Sequence, residues 1–256
     1  MRIATWNVNS LRARLDLVRD WLVRLQPDLV CLQETKVVDE LFPAAVLAEA
    51  GYRAVFAGER TYNGVAILSL EPLDDVRVEF PLAGNVDHRL ISGVSHGIRF
   101  YSAYFPNGRA PDTEHFFAKL RWIEKLGDLL LGPDGSDPLP VALLGDFNVA
   151  PEPGDVFDPV QMEGRIHFTA PERAALTALG ERGLVDAFRV ARAEPGLFSW
   201  WDYRQGAFRR NLGLRIDHVW TSPAIAEHVK AAFVDIDERR KPSCSDHAPV
   251  VVDLDI

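Results

Sequence analysis

Apolar and polar positions alternate along this chain with two periods, and the switches between them outline a fold. Ile3 to Asn9 reads as a strand that leaves Asn7 and Asn9 on one side near its end. Leu11, Leu15, Val18, Leu22 and Leu25 then recur at helical spacing, with Ser10 placed to cap the start and Pro27 to stop it. Leu29 to Gln33 is the next strand and runs into Glu34-Thr35-Lys36. Strand, helix and strand thus set Asn7 and Glu34 at comparable ends, and a short helical stretch from Phe42 to Ala50 follows.

From Tyr52 the pattern changes to closely spaced strands: Tyr52 to Ala57, Gly64 to Ser69, Val76 to Phe80, Leu90 to Ser95 and Ile98 to Phe105. Separators such as Tyr62-Asn63-Gly64 and His96-Gly97 are turn chemistry, which predicts hairpins and antiparallel pairing. Asp112 to Leu131 is a second long helix, with Phe116, Leu120, Ile123 and Leu130 facing in and Gly132-Pro133 as its stop. A loop rich in Gly, Pro and Asp leads to a doubly buried strand at Val141 to Leu144. Val149 to Pro171 carries little periodicity, Pro171 to Gly180 reads as a short helix, and Phe198 to Tyr203, Leu214 to Trp220, Ala231 to Ile236 and His247 to Leu254 close the chain as strands. Layer rules turn this order into helices covering sheets that pack face to face.

The most informative stretch is Val141 to Asn148, VALLGDFN, where an apolar run stops at Gly145 and hands over Asp146 and Asn148. Gly145 allows a close backbone approach, and side chains at i and i+2 share one side of the strand's mouth. A carboxylate beside an amide can hold a metal or activate and orient a water, although the same residues also make plain turns. Four other strand ends carry similar cargo: Asn7, Glu34, Tyr104, and Asp246 with His247. Oxygen donors without cysteine favour a hard cation such as Mg²⁺ or Mn²⁺, and phosphoester hydrolysis is the chemistry that needs this set. His247 can donate to a phosphoryl oxygen or act as base, with Asp217 preferred as the buried carboxylate that orients it; the alternative is that Asp217 and His218 are only the wet side of an alternating strand.

Composition narrows the setting. At 256 residues, 47% hydrophobic and 25% charged, the chain matches ordinary soluble proteins and has room for one large domain or two small ones. Two cysteines, Cys31 and Cys244, are too few for a disulfide framework and suggest a reducing compartment, with cytoplasm the expectation. No signal peptide or membrane-length apolar run is visible, so no membrane is expected as a partner. The formal net charge of -9 argues against a general nucleic-acid coat but allows a basic rim around an acidic, metal-binding centre.

Eight segments, MRIATWNVNSLRAR, LQETK, NGVAILS, YFPNG, LLGDFN, FSWWDYR, GLRIDHVW and SDHAPV, occur in this order. Together they resemble the exonuclease III type of abasic-site endonuclease over essentially the whole chain. The resemblance implies one catalytic domain over residues 1–256, built as a four-layer α/β sandwich of two packed mixed sheets flanked by helices. It implies a Mg²⁺-dependent enzyme, with Mn²⁺ as substitute, that cuts the phosphodiester 5′ to an abasic site and trims or cleans 3′ ends on double-stranded DNA as a monomer. By the same resemblance Glu34 is the main metal carboxylate, with Asn7, Asp146, Asn148, Asp246 and His247 around the metal. Tyr104, Asp146, Asn148, Asp217 and His247 form the catalytic set, with Asp146 or His247 as base.

Arg12, Tyr62 and Asn107 fall where relatives contact DNA, and Trp200, Leu214 and Ile216 where they line a small pocket for a flipped-out sugar. Arg109, Arg204, Arg209 and Arg210 join the rim by loop position. Asn9 stands where some relatives carry an aspartate, and Leu214 where some carry a bulkier aromatic. Competing readings are an enzyme that chiefly trims 3′ ends, a relative acting on lipid head groups or RNA, and a catalytically silent DNA-damage binder. A silent binder would lack a ligand, whereas Glu34, Asp146, Asn148, Asp217, Asp246 and His247 are all present.

Overall fold

A computed structural model of the chain describes residues 1–79, 81–82, 87–132 and 138–256. In chain order its strands are β1 (Arg2–Asn7), β2 (Leu29–Gln33), β3 (Arg53–Ala57), β4 (Val65–Ser69), β5 (Asp74–Val78) and β6 (Leu90–Ser95), then β7 (Ile98–Tyr104), β8 (Val141–Asp146), β9 (Val185–Asp186), β10 (Asp217–Thr221), β11 (Val229–Val234) and β12 (Val250–Leu254). They form two six-stranded sheets, ordered β11-β12-β1-β2-β4-β3 and β5-β6-β7-β8-β10-β9. Each sheet is mixed, with one parallel pair, β1 with β2 and β7 with β8, and antiparallel neighbours elsewhere.

Period-2 alternation explains why the sheets stack. Ile3, Cys31, Ile67, Phe100, Leu144 and Val252 point into the seam between them, where all are fully buried. Their neighbours Ala4, Trp6, Val30 and Leu32 point outward onto helices α1 (Leu15–Leu25) and α2 (Ala44–Glu49). On the other flank Tyr101 and Leu143 meet α3 (Glu114–Leu131), through Trp122, Ile123 and Leu126. The predicted four layers are therefore helix, sheet, sheet, helix.

Several boundaries differ from expectation for local reasons. Ser10 does not cap α1: it has φ of 86°, and the helix starts after Arg14 without a side-chain cap. Thr113 caps α3, accepting from the Phe116 amide. The aperiodic stretch after Val149 holds a single 3-10 turn and α4 (Pro159–Met162), opened by Asp158. It leads to α5 (Ala170–Glu181), closed by a reciprocal Thr169–Glu172 capping box. Phe198–Tyr203 is not a strand; Trp200 makes isolated bridges to Leu214 and His247, and the indoles anchor the segment through Asp246 and Asn211. The expected strand end at Phe80 and the loop from Pro133 to Asp137 lie outside the described residues.

Gly145 makes the closest approach among the described glycines, for a Cβ there would sit 1.8 Å from the Ala103 carbonyl oxygen of the neighbouring strand. Gly145→Ala is expected to push β7 from β8 and cost about 3 kcal/mol or more. Urea unfolding checks this, and an unchanged midpoint would contradict the close approach.

Candidate active site

The strand order brings one end of both sheets together. β1 delivers Asn7 and β2 runs into Glu34, while in the second sheet Tyr104 and Asp217 pair in register with Asp146 from either side. Asp146 thus lies between two neighbours set by the backbone ladders. Ser245 closes the top by donating to the Asn7 carbonyl at 2.7 Å, and Trp6 Nε1 donates to the His247 carbonyl at 3.2 Å.

At the centre a ligand-type atom from each of Glu34, Asp146 and His247 lies within 4.8 Å of the others. Asn7 Nδ2 ties the carboxylates together, donating to Glu34 at 2.8 Å and Asp146 at 2.9 Å. His247 Nδ1 meets both Asp217 oxygens at 3.0 and 2.9 Å, and Nε2 lies 3.8 Å from Asp146 Oδ2. Ser199 fixes Asp217 in turn, donating to Oδ2 at 2.6 Å.

Charge follows from this packing. Burial would lower the His247 pKa, but the charge and hydrogen bond of Asp217, with Asp146 and Asp246 nearby, raise it to about 10. The ring is therefore an imidazolium at neutral pH. Burial raises the Asp146 carboxyl to about 7 against the pull of His247, with Asp217 and Glu34 adding repulsion. For Glu34 burial is outweighed by Lys36 and Asn7, and its pKa falls. Tyr104 is pushed well above the usual phenol value by burial and by Glu34 and Asp146, so it remains a neutral donor.

His247 offers a ring nitrogen to the same three-residue group as Glu34 and Asp146, and when protonated that nitrogen is a donor. Asn7 Oδ1 already accepts from the Asn9 amide at 3.0 Å, and its NH₂ faces the carboxylates. Asn148 Oδ1 accepts from Asn107 Nδ2 at 3.2 Å, and its Nδ2 donates to the Phe105 carbonyl at 3.0 Å. Asp246 lies further out, held by Trp200 Nε1 and Asn9 Nδ2, each at 3.0 Å. Glu34, Asp146 and Asp246 supply carboxylate oxygens of the kind that suits a hard cation, and the amide oxygens of Asn7 and Asn148 each keep a second lone pair.

The rim residues divide by exposure. Arg12, Asn107, Arg109, Arg204, Arg209 and Arg210 are exposed, as is Tyr62 at 69%. Leu214 and Ile216 are buried in one apolar cluster with Val156, Met162 and Phe168, and Trp200 packs against that cluster. His218 is not wet: it is fully buried between the Val149 carbonyl and Arg215.

Three features escaped the sequence reading. Lys36 Nζ bridges Glu34 Oε2 and Asn9 Oδ1, each at 2.7 Å, which places a cation beside the Glu34 carboxylate. His167 stands 6.2 Å from the Trp200 ring, and its Nδ1 contacts the Asn148 carbonyl at 2.7 Å. Burial and Lys119 lower its pKa to about 4, leaving a neutral ring. Lys119 and Glu172 form a fully buried ion pair behind Asn148.

Residues 4–247 match the model of the endonuclease/exonuclease/phosphatase family. The chain belongs to that family. It is 31% identical to exodeoxyribonuclease III of Haemophilus influenzae, an alignment covering 98% of each chain. Among solved structures, a Neisseria 3′ phosphatase, NExo, bound to product DNA hairpin superposes with a TM-score of 0.96 at 39% identity. An AP endonuclease from Archaeoglobus fulgidus does so with a TM-score of 0.96 at 38% identity, and both comparisons cover 100% of each chain. This two-sheet sandwich is the family fold, and no helix among the described residues is long and apolar enough to cross a membrane.

Proposed function

We propose that this family member is a DNA-repair phosphodiesterase that cuts 5′ to abasic sites and also trims and cleans 3′ ends of double-stranded DNA. The observation that carries the reading is the packing of Glu34, Asp146 and His247 within 4.8 Å, with Asp217 behind the histidine. A metal-binding carboxylate, a base and a fixed cation are the parts that hydrolysis of a phosphoester needs. The full-length likeness to an exodeoxyribonuclease and an AP endonuclease supports DNA as the substrate.

In this reading Asp146, with a pKa near the working pH, takes the proton of the attacking water while Asn148 orients it. Water oxygen bonds to phosphorus, and the bond to the leaving 3′ oxygen breaks in line. The products at an abasic site are a 3′-hydroxyl and a 5′-deoxyribose phosphate. His247 donates from Nε2 to a phosphoryl oxygen, and the neutral Tyr104 phenol donates to phosphate or leaving oxygen. Glu34 and Asp246, with Asp146, would hold Mg²⁺, or Mn²⁺ in its place, and a cation there supplies neutralisation of the developing negative charge. Arg12, Tyr62, Asn107, Arg109 and Arg204 bind the backbone as a basic rim on an acidic protein. The catalytic unit is one domain acting as a monomer on DNA, in the cytoplasm.

A second reading weights 3′-end processing above abasic-site cleavage. It rests on His167, whose ring stands 6.2 Å from that of Trp200, the indole that packs on the buried Leu214 and Ile216. One gel separates the two: an end-labelled duplex with a stable abasic-site analogue is compared with a duplex ending in a 3′-phosphate, in Mg²⁺, Mn²⁺ or EDTA. Metal-dependent incision at the lesion supports the first reading, and phosphate release without incision supports the second. Silence on both would sink the DNA-repair reading. If His167 fills the sugar pocket, His167→Ala raises incision relative to phosphate release by about tenfold, the scale of a lost steric contact of 1–2 kcal/mol.

A further inference from the structure

Helix α3 turns Phe116, Ile123, Leu126 and Leu130 to the core, and Lys119 lies on that same face with no exposure. A leucine there would continue the apolar stripe, whereas an ammonium must be taken out of water at a cost its partners have to offset. Its three donors are all used, one on each of three chain segments. Nζ reaches the Asn107 carbonyl at 3.3 Å, the Asn148 carbonyl at 2.8 Å and Glu172 Oε1. Glu172 is equally saturated, accepting from the His167 amide at 3.2 Å, the Thr169 amide at 3.0 Å and the Thr169 hydroxyl at 2.8 Å.

We propose that the buried Lys119–Glu172 pair is a positioning device that sets the spacing between the loops carrying Asn107 and Asn148. This inference rests on the phosphodiesterase reading above. Those loops follow β7 and β8, and their amides meet across a 3.2 Å hydrogen bond at the mouth of the site. Asn148 has φ of 54° and Gly108 +83°, so neither loop is held by a regular ladder. The ammonium grips both from beneath: the Lys119 stem packs under Gly108, where a Cβ would come within 3.0 Å of Cδ. Secondary structure does not require the pair to close α3, since Thr113 caps that helix independently.

The test exchanges the pair for apolar residues of similar volume, Lys119→Met with Glu172→Leu, a replacement that buried ion pairs often tolerate without loss of stability. Steady-state cleavage of a 3′-phosphate duplex and of an abasic-analogue duplex is measured beside thermal unfolding. The expected result is a folded variant whose unfolding midpoint drops, because Glu172→Leu also removes the capping box of α5, with KM within about threefold and kcat, read well below that midpoint, at least about 30-fold lower, since ångström-scale misplacement costs about 10²-fold. Adding Asn107→Ala should then cost less than it does in the parent, because the amide is already misplaced. A kcat within about threefold of the parent, or a fully additive Asn107→Ala, overturns the proposal. If the double variant does not fold, Glu172→Gln is judged on the same kcat criterion, here set at about tenfold. An inert parent would overturn the phosphodiesterase reading itself, whereas an active parent with an unimpaired variant overturns only this inference.

Discussion

Asp146→Asn is expected to lower kcat by about 10³-fold near neutral pH while the protein stays folded, in the range that loss of a general base produces. An amide has Asp146's shape but cannot accept the water proton. Asn7 Nδ2 and the Asn148 amide each donate to Asp146 at 2.9 Å, so asparagine keeps an acceptor for one and turns its NH₂ to the other, a cost of about 1 kcal/mol that relief of carboxylate repulsion offsets at pH 8. Stability should not suffer at pH 8. The Asp146 pKa, raised from 3.8 to about 7, favours the folded state fully below 3.8, and that contribution declines progressively until it is lost as pH rises through 7. Above that, the carboxylate is held in a site already crowded by Asp217 and Glu34, and the asparagine relieves the repulsion. Single-turnover cleavage and thermal unfolding measure the two effects. Activity within tenfold of the parent would move the base elsewhere.

Asp146 was legible because its chemistry is local. An apolar run, a glycine that must approach Ala103 and a carboxylate one residue later are consecutive, and β-ladder register then makes Tyr104 and Asp217 its neighbours. The sandwich was legible for the same reason, since period-2 strands and period-3.6 helices announce their own burial. What the sequence hid depends on distant partners. Lys119 was a visible oddity, a lysine on the Phe116–Ile123 face, but its acceptors at Asn107, Asn148 and Glu172 are set by tertiary packing. The Thr169–Glu172 capping box was readable as helix chemistry and gave no sign that its carboxylate also meets an ammonium.

Phe198–Tyr203 was misread because two consecutive tryptophans imitate a half-buried strand. Trp200 and Trp201 point to different sides but are fixed by indole hydrogen bonds to Asp246 and Asn211, and two isolated bridges at Trp200 replace a ladder. His218 was misread because its burial needs the loop at Val149 to fold back over it, which no periodicity encodes. His167 sits in an aperiodic stretch with φ of 74°, where only the neighbouring Trp200 gives it meaning.

Asp217→Asn tests the other half of the site through its pH dependence. In the parent, Asp217 is the main support for a His247 pKa raised from 6.5 to about 10, which overcomes the burial that would lower it. A raised histidine pKa stabilises the folded state fully below 6.5, and the contribution falls away as pH rises to 10. Between those limits the metal-free parent should lose stability with a slope approaching about 1.4 kcal/mol per pH unit from this group alone. Asparagine removes the counter-charge, so the imidazole loses its proton nearer neutrality and the slope over pH 7 to 10 flattens. Cleavage at neutral pH should fall by about 10²-fold, as when one preorganised donor to a phosphoryl oxygen is lost. Urea unfolding in EDTA across that pH window, beside kcat in Mg²⁺, reads both effects. If Asp217→Asn retains the parental slope, His247 does not owe its charge to Asp217; if it retains the parental kcat, the imidazolium does not act on the substrate.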